Sequence, residues 1–372
     1  MVTEPKETKH LMTVMATILD TAPVEAFGPA SRLVPIRKPE GFIPAVQRWS
    51  ARLPGSVLRV AFFGAQAADA AGIAASGFHE WVEAALVRHP HRPSAHDHAI
   101  HRDGAGLLNH VAAAYWVDDA FAAWSADAAV QGWWSEPARL RGPAGAWREV
   151  MHVPPERQET IYWIDYPAGL MRSPAVSIFP TPYCGYYGAM RDRLLAAATD
   201  PLDAPPGAVL QPMPRAGFGQ RWRVQPPGNL AVIRSANTWG RMDEDQRADY
   251  EQKLRGPLDR GMDYLRANAV PAGCASLRMQ TTTDAVGRET AERHALGYFL
   301  SLRHMEGWAE GHQTHAAIFG AAISRYKRYG AANQLRTWHE VFVLPAGGQS
   351  FEYTNCHPAT GLLPWFDAEQ VA

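Results

Sequence analysis

His312 and His315, in the stretch "EGHQTHAAIF", stand three residues apart in a segment with helical spacing, so their rings share one helix face. The ordinary outcome for such a pair is half-exposed side chains near a helix start. The chemical alternative is a metal. Zinc would need a third ligand, which His339 could supply, but no H-E-x-x-H or similar pattern accompanies it. Haem needs only one axial imidazole in an apolar wall, and the small residues of "AAIFGAAI" after His315 would let a flat macrocycle lie close to the helix. His339 sits in "LRTWHEVFVLP", where strand alternation puts Thr337, His339, Val341 and Val343 on one face. A histidine there is ordinarily a satisfied core residue. Facing the cavity of an axial ligand, it becomes the natural proton donor and acceptor, because imidazole titrates near neutrality.

Three further places could carry polar chemistry. Ser235 ends "NLAVIRSANTW" on the face of Ala231 and Ile233, and a hydroxyl there must find a partner in the protein or in a ligand. No G-x-S-x-G elbow surrounds it, so nucleophilic catalysis has little support. "GAMRDRLL" sets Arg191 and Arg193 on either side of Asp192, ordinarily a salt-bridge set from which one arginine can reach a pocket. Glu159 opens "ETIYWIDY", where a solvated strand-end charge is the plain reading. The run 89–101, with its "HDH", has histidines enough for a metal but nothing that fixes ligand geometry, and it reads as a loop.

Elements must bring such residues together. Residues 1–40 are weakly patterned and read as an arm on the body. "SVLRVAFFGAQ" and "LLNHVAAAYW" read as strands, and "GFHEWVEAALVRH" and "VDDAFAAWSADAAVQGWW" as helices. "DEDQRADYEQKLRGPLDRGMDYLRAN" reads as an amphipathic helix pair interrupted at Gly256-Pro257, and 203–217, rich in proline and glycine, as the best boundary. "AYWVDDAFAAW" and "GYFLSLRHMEGW" each pass from an aromatic strand into a helix ending in Trp. Setting Tyr115 against Phe299 puts Trp124 on Trp308, as if one α+β unit occurred twice. Two such copies suggest two sheets facing each other across a shared cavity.

The composition excludes much. A formal net charge of -1 and the absence of G-x-G-x-x-G, P-loop or nucleic-acid motifs argue against a nucleic-acid partner. No apolar run approaches a membrane span, and "LMTVMATIL" follows acidic as well as basic residues, unlike an export signal. Three widely spaced cysteines form no disulfide or C-x-x-C framework, which suits a reducing cytoplasm.

Taken together, "YYGAMRDR", "NLAVIRS", "GMDYLRANAVPAGC", "SLRHMEGWAEGHQTHAAIF" and "HEVFVLPAGGQSFEYTNCHPATGLL" resemble the aldoxime dehydratases, haem enzymes that turn aldoximes into nitriles. The resemblance runs from about residue 40 to the end and is strongest after Tyr183. It implies an α+β fold in which two ferredoxin-like repeats, residues 41–205 and 206–372, form a dimeric α+β barrel flanked by helices. It implies a non-covalent haem b, ferrous in the active form, held by His315. On the open side it places His339 as acid and base, Ser235 as the group that aims the oxime oxygen, and Glu159 in the surrounding network. The arginine of "MRDR" is carried to Arg193, with Arg191 as the alternative. The oxime nitrogen would bind ferrous iron directly, and the protein would be a cytoplasmic homodimer. A haem-binding sensor or a peroxidase-like haem protein is the competing reading.

Overall fold

The computed structural model describes residues 32–371; residues 1–31, most of the expected arm, lie outside the described residues. The rest of that arm is tied down. Leu33 and Val34 donate backbone N–H bonds to the Ala198 carbonyl, and Arg37 and Lys38 donate theirs to the Asp192 carboxylate.

The strands are β1 (Arg48–Arg52), β2 (Arg59–Ala67), β3 (Ala95–Arg102), β4 (Leu108–Trp116), β5 (Gly145–His152), β6 (Gln158–Ile161), β7 (Ser177–Thr181), β8 (Arg221–Val224), β9 (Ala231–Thr238), β10 (Cys274–Thr283), β11 (Glu289–Phe299), β12 (Arg336–Val343), β13 (Ser350–Thr354) and β14 (Ala368–Gln370). Helices α1 (Ala70–Ala75) and α2 (Phe78–Val82) follow β2, α3 (Ala120–Ala126) and α4 (Ala128–Ser135) follow β4, and α5 (Ala189–Arg193) follows β7. In the second half α6 (Glu244–Tyr250) and α7 (Gly256–Ala267) follow β9, while α8 (Leu302–Gly311) and α9 (Gln313–Tyr329) follow β11. The result is a mixed fold of helices on one large antiparallel sheet.

Twelve strands pair in the order β14-β8-β13-β5-β2-β4-β3-β10-β11-β9-β12-β6, and β1 pairs with β7 separately. Both halves run strand–helix–strand–strand–helix–strand, with the first and third strands in the centre. They are joined edge to edge where Thr281, Thr282 and Thr283 of β10 meet Ile100, Ala99 and His98 of β3. Each half also lends strands to the other: β13 of the second pairs with β5, and β6 of the first pairs with β12.

Alternation decides what each face buries. One face of the sheet, with Phe62, Tyr115, Trp147, Leu296, Tyr298, Trp338 and Tyr353, forms a core drawn from strands near both ends of the sheet, so the sheet curls around it. Buried ion pairs are set into this interior, Arg234 with Asp97 at 2.6 Å and Arg278 with Glu149 at 2.6 Å. The opposite face of the first half is filled by Phe63, Phe78, Trp81, Trp116, Trp124 and Trp134. In the second half that face packs Ala231, Ala295, Phe299 and Val341 against Met262 and Leu265 of α7.

Several expectations are corrected here. Among the described residues both halves share one continuous twelve-stranded sheet instead of two facing ones, and its interior is filled. Tyr115 matches Tyr298, not Phe299, because both tyrosines face the interior while Trp116 and Phe299 face the helices. Residues 95–102, expected within a loop, are strand β3, where Ala95, Asp97, Ala99 and His101 point inward and His96 and His98 outward. Polar residues on both faces had hidden that alternation. The expected break at Gly256-Pro257 is absent. A π turn at Glu251–Arg255 links α6 to α7, and α7 begins at Gly256 with Pro257 following directly on that turn.

Gly64, in the middle of β2, pairs with Trp147 of β5, whose indole lies over it and donates to Asn109 Oδ1 at 3.0 Å. A Cβ at position 64 would overlap that ring. Gly64→Ala is therefore expected to destabilise the fold by about 1–3 kcal/mol, the usual cost of overpacking, read as a lowered thermal midpoint.

Candidate active site

Register brings three of the expected residues to one sheet face. Ser235 of β9 and His339 of β12 are direct antiparallel partners, so their side chains stand beside each other on the same side. Glu159 of β6 lies opposite Val341, two positions from His339, and faces the same way. Arg193, the last residue of the five-residue helix α5, reaches them from the side. Its Nε donates to Glu159 Oε2 at 2.6 Å, its Nη1 to the Tyr183 carbonyl, and its Nη2 lies 2.9 Å from His339 Nε2. Glu159 Oε1 stands 2.9 Å from the same Nε2.

The neighbouring arginine is occupied elsewhere. Arg191 donates to Glu306 of α8 through Nε at 3.0 Å and Nη2 at 2.6 Å, and through Nη1 to the Pro201 carbonyl. Asp192 between them accepts from Arg37, Lys38 and the Tyr186 hydroxyl. The three charged residues of "MRDR" thus point to three different elements, and Arg193 is the one that meets His339.

The electrostatics follow from burial. Glu159 is fully enclosed, which alone would raise its pKa, but Arg193 and His339 more than offset this and hold it below the usual carboxylate range. His339 is surrounded by protein yet keeps a quarter of its side chain open. Burial lowers its pKa below the ordinary 6.5, Glu159 pulls it back up, and Arg193 and Arg48 lower it further. A guanidinium keeps its protons, so neutral His339 accepts from Arg193 at Nε2 and carries its proton on Nδ1. When the ring is doubly protonated, Nε2–H turns to Glu159 Oε1, an oxygen with no other partner. Among the described residues neither His339 Nδ1 nor Ser235 Oγ has a hydrogen-bond partner, and neither atom is sealed from open space.

The helix face expected to hold a metal lies on α8 and α9. His312 caps α9. Its Nδ1 accepts from the Thr314 N–H at 3.3 Å and the Thr314 hydroxyl at 2.8 Å, and its ring stacks on Tyr264 at 3.7 Å. His304 accepts or donates at Ser301 Oγ, 2.8 Å away, and fills the space beside Gly273, whose φ of +63° suits glycine. His315 is different. Its Nδ1 is buried without a well-aligned hydrogen bond, the nearby Ala309 backbone favouring a proton there, and Trp308 meets the ring edge to face at 4.9 Å. Its Nε2 has no partner among the described residues and is not enclosed.

The surroundings of that nitrogen suit a flat apolar group. Only Arg325 of the seventeen residues of α9 is fully buried, and Ile318, Phe319, Ala322 and Ile323 form a half-buried apolar stripe. Ile318 packs into the same cluster as the half-buried Ile233, Leu277 and Met279 of the sheet face that carries Ser235. Zinc has no such fit. Among the described residues no three His, Cys, Asp or Glu side chains gather as a metal site, including the histidines of 89–101.

A family model described as haem-containing dehydratase matches residues 61–362. The chain belongs to the haem-containing dehydratase family. Haem is accordingly its cofactor, and an imidazole with no partner at Nε2 among the described residues, on a half-open apolar helix, is the feature in this structure that fits one. The family's relatives include the phenylacetaldoxime dehydratase of Bacillus sp. (strain OxB-1), 35% identical over 283 residues, covering 75% of this chain and 80% of that protein. The aliphatic aldoxime dehydratase of Pseudomonas chlororaphis is 32% identical over 340 residues, 88% of this chain and 93% of that one. Among solved members of similar fold, a crystal structure of an aldoxime dehydratase in complex with butyraldoxime superposes with a TM-score of 0.83 at 30% identity, covering 93% of this chain and 96% of the other.

Sequence reasoning missed the residues that pack on His312 and His315. Trp308 was visible only as the echo of Trp124, and Tyr264, which stacks on His312, carries no signal beyond its place on an amphipathic helix.

Proposed function

We propose that this chain dehydrates aldoximes, R–CH=N–OH, to nitriles and water, with His315 as the haem ligand and Ser235, His339, Arg193 and Glu159 as the groups that act on the substrate side. The observation that carries this reading is the pair of polar atoms, Ser235 Oγ and His339 Nδ1, that have no partner among the described residues, stand side by side on one sheet face and are backed by a buried ion pair. Bound haem supplies a Lewis-acidic iron that takes a nitrogen donor.

The chain's own part can be derived from the contacts. The Ser235 hydroxyl hydrogen-bonds the oxime oxygen and aims it at His339. The His339 imidazolium, its Nε2–H held by Glu159, gives its Nδ1 proton to that oxygen, so that water can leave as the N–O bond breaks. Neutral His339 then takes the proton released from carbon, which restores the imidazolium and balances the reaction. Arg193 fixes Glu159 and presses on His339, so the carboxylate favours the charged ring and the guanidinium the neutral one. A ring poised between the two can both give and take a proton.

The test is anaerobic incubation of the reduced holoprotein with phenylacetaldoxime. Nitrile formation is expected. Spectral shifts with gas ligands and no nitrile would make it a sensor, and peroxide-driven turnover a peroxidase-like protein.

A pH profile separates the roles further. Activity needs the imidazolium, so it is expected to fall as pH rises through the depressed pKa of His339. Glu159→Gln removes the group that raises this pKa, and the alkaline limb of kcat against pH is expected to move to lower pH. An unmoved limb would remove Glu159 from the network.

The topology of β2–β5 and β9–β12 supports reading residues 41–205 and 206–372 as two ferredoxin-like repeats that close into a barrel. All three cysteines are free and buried, in keeping with a cytoplasmic site, and no helix among the described residues is long and apolar enough to cross a membrane. The resemblance makes a homodimer the assembly to look for, and sedimentation would measure it.

A further inference from the structure

Arg48 is a buried cation without an anion among the described residues. Its Nε donates to the Tyr162 carbonyl at 3.0 Å and its Nη2 to the Thr337 carbonyl at 2.6 Å, with Nη1 3.5 Å from the Thr337 hydroxyl and the guanidinium 4.8 Å over the ring of Trp163. It is 9% exposed. Among the described residues no carboxylate pairs with it. The charged neighbours that bear on it include two more arginines, Arg193 and Arg336, and burial pulls its pKa down to about 10. Those arginines already have acids, Glu159 at 2.6 Å and Asp165 at 2.8 Å. Carrying a desolvated charge with no counter-ion is costly, and a fold ordinarily pairs such a group.

The missing anion has a direction. Thr337, which Arg48 holds, shares the strand face of His339, so the guanidinium borders the face described above. Tyr326 of α9 is one of the titratable neighbours of Arg48. It lies about three turns along α9 from His315, which returns it to nearly the same helix face. Its side chain leans back toward the N-terminus, as helical side chains do. Its hydroxyl has no hydrogen-bond partner among the described residues. A donor without an anion on β1 and a donor without an acceptor on α9, both among the described residues, thus lie near enough for the charge of one to be felt by the other.

We propose that Arg48, with the Tyr326 hydroxyl, binds a propionate carboxylate of haem at the border of that face. The inference rests on the haem placement proposed above, with His315 as its ligand. It assigns β1, far from the motifs in sequence, a part in holding the cofactor.

The experiment uses the full chain, freed of haem and reconstituted either with haem or with its dimethyl ester, which lacks the propionate charge. Release into excess apomyoglobin is then timed. The unaltered protein is expected to release the ester roughly 10- to 100-fold faster than the acid, the scale of a hydrogen bond to a charged group. Arg48→Met is expected to release the acid as fast as the ester, Arg48→Lys to fall between, and Tyr326→Phe to show a smaller loss. Equal release of acid and ester by the unaltered protein overturns the proposal without reliance on any variant, as does an Arg48→Met loss of equal size for both forms. The ferrous spectrum of His315→Ala separates the two inferences. If it is unchanged, the haem placement is wrong; if it changes while acid and ester behave alike, only the propionate assignment falls.

Discussion

Replacing His315 with alanine is expected to leave a folded chain that no longer holds haem through an axial imidazole and has lost nitrile formation. The ring contributes little to the fold. Among the described residues its Nε2 bonds to nothing and its Nδ1 lacks a well-aligned partner, and α9 is anchored farther along by Arg325. That anchor donates to Asn333 Oδ1 at 2.9 Å, Gln246 Oε1 at 2.8 Å and Asp249 Oδ2 at 3.2 Å. A side chain that does so little for stability can be removed without unfolding the helix, so the variant separates cofactor binding from folding. The expected readings are a melting temperature of the haem-free protein lowered by only a few degrees, for the lost contact with Trp308, and loss of the histidine-ligated Soret spectrum. The His312→Ala variant is the natural control. It removes a cap bond worth about 0.5–2 kcal/mol and should lower stability while keeping the axial ligand.

His339→Ala is expected to behave in the opposite way, keeping haem and its spectrum while kcat falls by about 10²–10⁴-fold, the usual contribution of a positioned acid–base group. Arg193 and Glu159 would still pair at 2.6 Å, so the buried carboxylate keeps a counter-ion and the local fold survives. The loss should lie in kcat, because the proton is needed only as the N–O bond breaks. A variant that changes KM alone, or retains full activity, would show that the acid is another group.

How the site could be read from the sequence differs from residue to residue. His339 and Ser235 were each placed on the correct strand face by alternation, which is a local property. Their being opposite one another is a register fact between β9 and β12, separated by more than a hundred residues of chain. Glu159 looked like a solvated strand end because its own neighbours in sequence say nothing of β12; it is buried because the first half lends β6 to the second half's sheet. Arg191 and Arg193 could not be told apart, since a five-residue helix presents both and only the positions of Glu306 and Glu159 decide which meets which. The histidine run around "HDH" misled because polar residues occupy both faces of β3, Asp97 being drawn inward by Arg234.

The amino-acid sequence by itself determined the strand faces, the helical placement of His315 in an apolar stripe, the absence of a disulfide framework and, through its motifs, the haem dehydratase family. These depend on residues near each other along the chain, whose spacing alone fixes which way they point. The tertiary structure decided which histidine of three is left without a partner, which arginine meets the acid, and that a lone buried arginine on β1 borders the same space. Partnership is settled by strand register and by the exchange of strands between the halves, and both join residues too far apart for any local pattern to record.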